Sequence, residues 1–212
     1  SLVKHLVYAS TSAVYGGNEK VPFHENDGVS RPQSLYAATK RADELLTYSW
    51  CNMFGLTATG VRFFTVYGPW GRPDMSPMIF GRCILEDKPI PLFNKGDLWR
   101  DFTYVDDIVE GLVRLMNHLP QGEVAHELYN IGNHNPVQML EFVNIMEDVL
   151  GKKAQLDLQD WPKSEVYKTY ADTQKLRAAV GWAPSTDLRV GLQRFADWFI
   201  PYWEAEQAKK AA

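Results

Sequence analysis

Val3–Gly17 reads VKHLVYASTSAVYGG and Ser34–Phe64 reads SLYAATKRADELLTYSWCNMFGLTATGVRFF. Val3 to Ala9 is a short apolar, β-branched run of the kind that forms a buried strand. Ser10-Thr11-Ser12 and Gly16-Gly17 end it, and Asn18 to Gln33, polar with Pro22 and Pro32, reads as a loop. Ser34 is a good N-cap for a helix of about 20 residues, with Leu35, Ala38, Ala42, Leu45, Leu46 and Ser49 along one face. Gly55 stops that helix, and Leu56 to Phe64 is the next strand. A strand, a helical crossover and a second strand predict parallel pairing with a right-handed connection.

Outward from this unit the alternation continues. Tyr67 to Pro77 is a loop rich in Gly and Pro, Met78 to Glu86 a helix, Ile90 to Phe93 a short strand and Phe102 to Val105 another extended piece. Asp107 is placed to cap a helix running to Asn117, with Asp106 and Asp107 complementing its dipole. Leu128 to Ile131 is strand-like, Val137 to Leu150 an amphipathic helix, and Ala154 to Leu158 a strand. Helices at Thr173 to Val180 and from Leu188 to about Gln207 close the chain, and a tail from Glu204 to Ala212 is expected to fray. The fold class is α/β. There is no repeat, low-complexity block or linker.

The 212 residues, with 45% apolar content, 7 Trp, 10 Tyr and 10 Phe, suit a packed core rather than a disordered chain. Lys and Arg number 22 against 26 Asp and Glu, a net charge of −4 that leaves no basic stripe for nucleic acid. The longest apolar runs are a few residues, so no membrane span is expected. The two cysteines, Cys51 and Cys83, have no metal spacing and suit a reducing compartment, with the cytoplasm as the default location. The five histidines form no ligand set, and no metal site is expected. The chain opens without Met and enters a strand at once, so a longer protein with further N-terminal residues is expected.

Tyr36 and Lys40 lie four apart on the predicted helix, hence on one face. A phenol titrates near 10 and is a poor base at neutral pH. A neighbouring ammonium favours the phenolate and makes Tyr a usable general acid or base. An isolated pair of this kind is most often ordinary helix surface. Here Ser10-Thr11-Ser12 stands upstream at the carboxyl end of a predicted parallel strand, where ligands sit in open α/β sheets. A hydroxyl there can hydrogen-bond a substrate oxygen that Tyr36 deprotonates.

These residues, with R-F-F-T-V-Y-G-P (62–69), R-D-F-T-Y-V-D-D (100–107) and A-D-T-Q-K-L (171–176), resemble the extended short-chain dehydrogenase/reductase family, whose members act on nucleotide sugars. The resemblance covers nearly the whole chain. It implies the C-terminal part of a Rossmann-type parallel sheet in residues 1–68, and a smaller mixed α/β substrate-binding domain mainly in 69–212, with about 100–133 returning to the Rossmann sheet. It implies NAD as cofactor, Tyr36, Lys40 and Thr11 as catalytic residues, and Tyr36, Lys40, Ser10 and Phe63 as cofactor contacts. The family's G-x-x-G-x-x-G loop, which lets the backbone approach the pyrophosphate, has no counterpart in these residues.

Neighbouring positions separate the branches of that family. Dehydratases carry an Asp-Glu pair where Ser12 and Ala13 stand, and UDP-glucuronate decarboxylases use a Glu at the position of Ala13. The residues here leave chemistry that oxidises and reduces one carbon. F-F-T-V-Y-G-P-W-G-R-P-D-M (63–75) looks like the segment of UDP-glucuronate 4-epimerases. The resemblance makes Ser12, Thr65, Arg72, Phe93, Arg100 and Asp172 substrate contacts. Arg72 offers a fork of donors suited to a carboxylate, and Arg100 a fork suited to the UDP diphosphate. Phe93 is a candidate to stack on uracil, and Asp172 to meet the nucleotide ribose, though each also suits a core or helix-capping role. Two other readings stay open, a UDP-glucose-type epimerase and a non-catalytic nucleotide-sugar binding module. A UDP-sugar substrate and a homodimer of the full-length protein, formed through the helix of Tyr36, complete the expectation.

Overall fold

A computed structural model describes residues 3–161 and 166–211. The opening segment forms β1 (Leu6–Thr11), a 3₁₀ turn (Ser12–Tyr15), a long loop, α1 (Leu35–Phe54) and β2 (Ala58–Phe63). The Ser34 hydroxyl accepts from the Ala37 N–H and starts α1. Gly55, left-handed at φ 67°, closes it by donating its N–H to the Cys51 carbonyl. The chain continues as β3 (Thr65–Tyr67), α2 (Ser76–Leu85), β4 (Pro89–Leu92), β5 (Trp99–Tyr104), α3 (Val105–Met116) and β6 (His126–Ile131). It ends with β7 (Pro136–Gln138), α4 (Met139–Leu150), β8 (Gln155–Leu158), α5 (Gln174–Val180) and α6 (Leu188–Ala211).

The chain divides into two compact units. The first holds Ser1–Val66, Asp101–Pro136 and Lys168–Ser185. Its sheet runs β1-β2-β6, all parallel. Side chains alternate across such a sheet. On one face Val61, Tyr129 and Ile131 pack with Ile108 and Leu115 of α3 and Leu176 of α5. The other face carries three cross-strand rows, Leu6–Ala58–His126, Tyr8–Gly60–Leu128 and Ser10–Arg62–Asn130. A Cβ on Gly60 would stand 2.5 Å from both the Tyr8 hydroxyl and a Leu128 methyl, so any larger residue would force those side chains to shift. The Lys168–Ser185 segment is held by the Phe23 N–H donating to Tyr170 O and the Asp172 N–H to Phe23 O. The buried Asp101 carboxylate accepts from the backbone N–H of Ala171 and of Asn133, both at 2.9 Å. Burial pushes its pKa up to about 6 against the pull of those N–H groups.

The second unit holds Tyr67–Arg100, Val137–Tyr167 and Thr186–Ala212. There β4 pairs with β8 in parallel. Helices α2, α4 and α6 pack through Phe80, Ile84, Phe142, Met146, Phe195 and Phe199. Trp70, in the left-handed region at φ 60°, packs its indole at a tilt against Trp198 and edge-on against Tyr202 of α6. That contact anchors the loop that carries Arg72.

Several elements differ from the sequence expectation. The face of α1 with Leu35, Ala42, Leu45, Leu46 and Ser49 is exposed; the residues buried beneath the helix are Ala37, Glu44 and Cys51. Helix α3 starts at Val105 with Tyr104 as N-cap, so Asp107 lies in the first turn, its carboxylate accepting from the Ser185 N–H at 3.1 Å. Val137 is extended in β7 and α4 begins only at Met139. The expected frayed tail is helical through Ala211, with a Lys209–Glu206 ion pair and Lys210 over the Trp203 ring; Ala212 lies outside the described residues. Among the described residues no helix is long and apolar enough to cross a membrane, and no group of three or more His, Cys, Asp or Glu could hold a metal.

Candidate active site

In the first unit the carboxyl ends of the parallel strands carry the hydroxyl triplet. Thr11 ends β1, nearly buried, and its Oγ1 accepts from the Ala13 N–H at 3.2 Å to start the 3₁₀ turn. Ser12 opens that turn, half-buried. Tyr36 and Lys40 sit one helical turn apart in α1, and 54% of Tyr36 is exposed, so its phenol is open to a ligand. The Lys40 ammonium pairs with Asp43 at 2.9 Å. Phe63 ends β2, packed against the apolar cluster of α3 and α5, and Thr65 opens β3, half-buried.

Ser10 faces the other way. Its hydroxyl donates to the buried Glu44 carboxylate at 2.6 Å. Glu44 also accepts from Arg62 Nε at 2.8 Å and Nη2 at 2.9 Å, and from Arg41 Nη1 at 2.8 Å. Arg62 Nη1 donates to the Tyr15 hydroxyl at 3.0 Å and to the Glu25 carbonyl at 3.1 Å. The Tyr15 hydroxyl donates to Asn130 Oδ1 at 2.7 Å, and Asn130 Nδ2 donates to the Phe23 and Asp172 carbonyls. Burial pushes the Glu44 carboxyl up, but the bonds and charge of Arg62, with Ser10 and Arg41, outweigh it and hold its pKa below the usual range. Burial raises the Tyr15 phenol to about 12, so it is a neutral hydrogen-bonding group at physiological pH. Glu25 is also raised by burial; one of its oxygens accepts the Asn130 N–H, and the other has no hydrogen-bond partner.

Sequence reasoning did not single out Glu44, Arg62, Tyr15 or Asn130 for a role. A signal existed. An arginine in the middle of the apolar strand Gly60-Val61-Arg62-Phe63 demands a buried counter-charge, and Glu44 stands one turn after Lys40 on the neighbouring helix.

In the second unit Phe93 and Arg100 line one cavity of about 260 Å³, with Asp74, Ser76, Leu92 and Met139 among the other walls. Arg100 Nη1 donates to the carbonyls of Trp99 at 2.9 Å and Tyr167 at 3.4 Å. Arg72 is exposed and holds the Asp74 carboxylate in a two-pronged grip, Nε to Oδ1 at 3.0 Å and Nη2 to Oδ2 at 2.5 Å. That pairing keeps the Asp74 carboxyl below its ordinary pKa. Asp172 lies in the first unit, where its carboxylate accepts from the Gln174 N–H at 2.9 Å at the start of α5.

The sequence pattern of the NAD dependent epimerase/dehydratase family matches residues 1–132. The chain belongs to that family. Among similar members, UDP-glucuronate 4-epimerase 1 of Arabidopsis thaliana is 43% identical over 211 residues, covering 93% of this chain and 49% of the relative. Protein CapI of Staphylococcus aureus is 41% identical over 216 residues, covering 95% of this chain and 65% of the relative. The UDP-glucuronic acid 4-epimerase of Bacillus cereus, solved with UDP-glucuronic acid and NAD, superposes with a TM-score of 0.85 at 32% identity, over 93% of this chain and 62% of that one. This chain thus spans about half to two thirds of the length of the relatives it matches.

Proposed function

We propose that the protein to which this chain belongs epimerises C4 of a UDP-sugar, UDP-glucuronate to UDP-galacturonate, with NAD as cofactor. The observation that carries this reading is the open Tyr36 phenol, one turn from Lys40, on a helix tied to the strand end that bears Thr11. The names of relatives support the substrate: two proteins called UDP-glucuronate 4-epimerase, 43% and 42% identical, match over 93% and 98% of this chain. A physical feature supports it too. The Arg72 fork already grips a carboxylate, that of Asp74, in the manner a uronate would require.

The residues of this chain fit the nicotinamide-ribose half of NAD, because the accessible Tyr36 and Lys40 lie beside the carboxyl ends of three parallel strands, where such cofactors sit. Bound NAD⁺ supplies a hydride acceptor, which makes oxidation of C4 to a ketone and its reduction from the opposite face possible. Tyr36 takes the proton of the C4 hydroxyl and returns it after the face exchange. Lys40 holds the ribose. Thr11 and Ser12 orient the sugar oxygen, Thr65 contacts the sugar, and Arg72 receives the carboxylate. Arg100 binds the diphosphate, and Phe93 stacks on the base. Ser10, whose hydroxyl is held by Glu44, and Phe63 are the further cofactor contacts of this reading, and Asp172 stands near the nucleotide ribose.

The reading includes a homodimer. Leu45, Leu46, Tyr48, Trp50, Met53 and Phe54 make an exposed apolar face on α1, larger than scattered surface residues would give, and a second copy would cover it. The test is proton NMR of the full-length gene product with UDP-glucuronate and NAD⁺. Appearance of UDP-galacturonate, abolished in Tyr36→Phe with UDP affinity retained, is expected. Absence of conversion, or wild-type turnover by Tyr36→Phe, would refute the reading.

A further inference from the structure

Helix α1 does not hide its apolar side. Leu45, Leu46, Trp50, Met53 and Phe54 are exposed, whereas the residues buried beneath it are Ala37, Glu44 and Cys51, spaced by seven. Hydrophobic burial within this unit alone would favour turning the helix so that Leu45 and Leu46 met the sheet. Something other than apolar area therefore sets its rotation.

Glu44 is that feature. Its two oxygens take four donors, from Ser10 at the end of β1, Arg62 in β2 and Arg41 on the helix itself. Both Glu44 and Arg62 side chains are 1% exposed. A turn of one residue, about 100°, would remove the bonds to Ser10 and Arg62, keep only the intrahelical Arg41–Glu44 pair, and leave the Arg62 charge unpaired in the interior. Tyr36, Lys40 and Glu44 follow one another at intervals of four, so they form one stripe along α1, and fixing the last fixes the other two. The Ser10 bond adds a second constraint, because Ser10 precedes Thr11 in the same strand. Beyond Arg62, the Tyr15–Asn130 pair extends the lock across the third strand, β6.

We propose that the buried Ser10–Glu44–Arg62 network is a register lock that sets the rotation of α1 and thereby positions Tyr36 and Lys40 relative to Thr11. Glu44 and Arg62 are positioning residues, distant from the reacting atoms. The proposal rests on the reading of Tyr36 and Lys40 as the acid–base pair.

The test replaces the ion pair by apolar groups of similar volume, Glu44→Met with Arg62→Met, in the full-length protein. Such exchanges commonly preserve the fold, so loss of the lock separates from loss of the structure. The expected result is a folded protein whose KM for the UDP-sugar is unchanged, whose NAD affinity falls as Lys40 shifts, and whose kcat at saturating NAD falls about a hundredfold, the scale on which misplacing a catalytic group by about 1 Å acts. Glu44→Asp keeps the charge and draws the carboxylate back by one methylene. It is expected to fold and to lose about tenfold in kcat at constant KM, and it decides the matter should the double variant not fold. Wild-type kcat in either folded variant overturns the lock. Tyr36→Phe, measured alongside, keeps the two readings apart: full turnover there sinks the acid–base assignment, whereas an inactive Tyr36→Phe beside an active double variant sinks only the lock.

Discussion

Two arginine–carboxylate pairs, one in each unit, work in opposite ways. Arg62 and Glu44 meet at 2.8 Å with both side chains 1% exposed. Arg72 and Asp74 meet at 2.5 Å with 70% and 63% of their side chains in solvent. The shorter contact is the weaker one in energetic consequence, because water screens it and stands ready to replace either partner. The buried pair cannot be opened without stranding a charge in the interior. A pair that can open at little cost suits a residue that must exchange its partner for a substrate carboxylate. A pair that cannot open suits the foundation of the helix on which the proposed reaction places Tyr36 and Lys40. Distance alone would have ranked them the wrong way round.

The contrast can be broken most severely at the buried pair. Arg62→Met alone strips Glu44 of its buried counter-charge and leaves it Ser10 and the half-buried Arg41, and should cost about 3–5 kcal/mol of stability by urea unfolding. Loss below about 1 kcal/mol would mean that water or Arg41 already solvates Glu44. Acid sharpens the same point. The folded pKa of Glu44 is lowered, so its stabilisation is present above the ordinary value of about 4.3 and disappears as pH falls through the lower folded value. The stability gap between the wild type and Glu44→Gln should therefore be full at pH 6 and narrow below pH about 4; a gap constant across that range would contradict the lowered pKa. In the second unit, Arg100→Ala should weaken UDP binding about tenfold to a hundredfold by calorimetry, the worth of a charge-assisted contact, with the melting temperature little changed. The smallest effect belongs to the exposed pair. Asp74→Ala should leave the melting temperature unchanged, while Arg72→Ala should raise KM for UDP-glucuronate and not for UDP-glucose, and equal effects on both sugars would remove Arg72 from carboxylate recognition.

The ends of α1 were legible because capping is local chemistry: Ser34 supplies the first side-chain bond and Gly55 the left-handed exit. Tyr36 and Lys40 could be placed on one face from helical geometry alone. Which face of α1 turns inward could not be read from apolar spacing, because the exposed side is the more apolar one and the deciding contacts join residues 18 and 34 positions apart. The start of α3 was missed for a related reason. Asp107 is a good cap by type, but its carboxylate is engaged by the backbone of Ser185, 78 residues away. Phe93 and Arg100 line one cavity, a closeness that a separation of seven in the chain made easy to anticipate. The return of Lys168–Ser185 to the first unit depends on the Asp101 carboxylate and the Phe23 backbone, neither of which announces its partner in the sequence.

The most direct measurement follows the fate of the hydrogen at C4. Full-length protein would be incubated with NAD⁺ and UDP-glucuronate deuterated at C4, in ordinary water, and the UDP-galacturonate product examined by NMR. Deuterium retained at C4 is the expected result, since the abstracted hydride returns to the same carbon and Tyr36 exchanges only the hydroxyl proton. Product carrying hydrogen from solvent at C4, or conversion that proceeds equally well in Tyr36→Phe, would contradict oxidation and reduction at that carbon as the chemistry of this site.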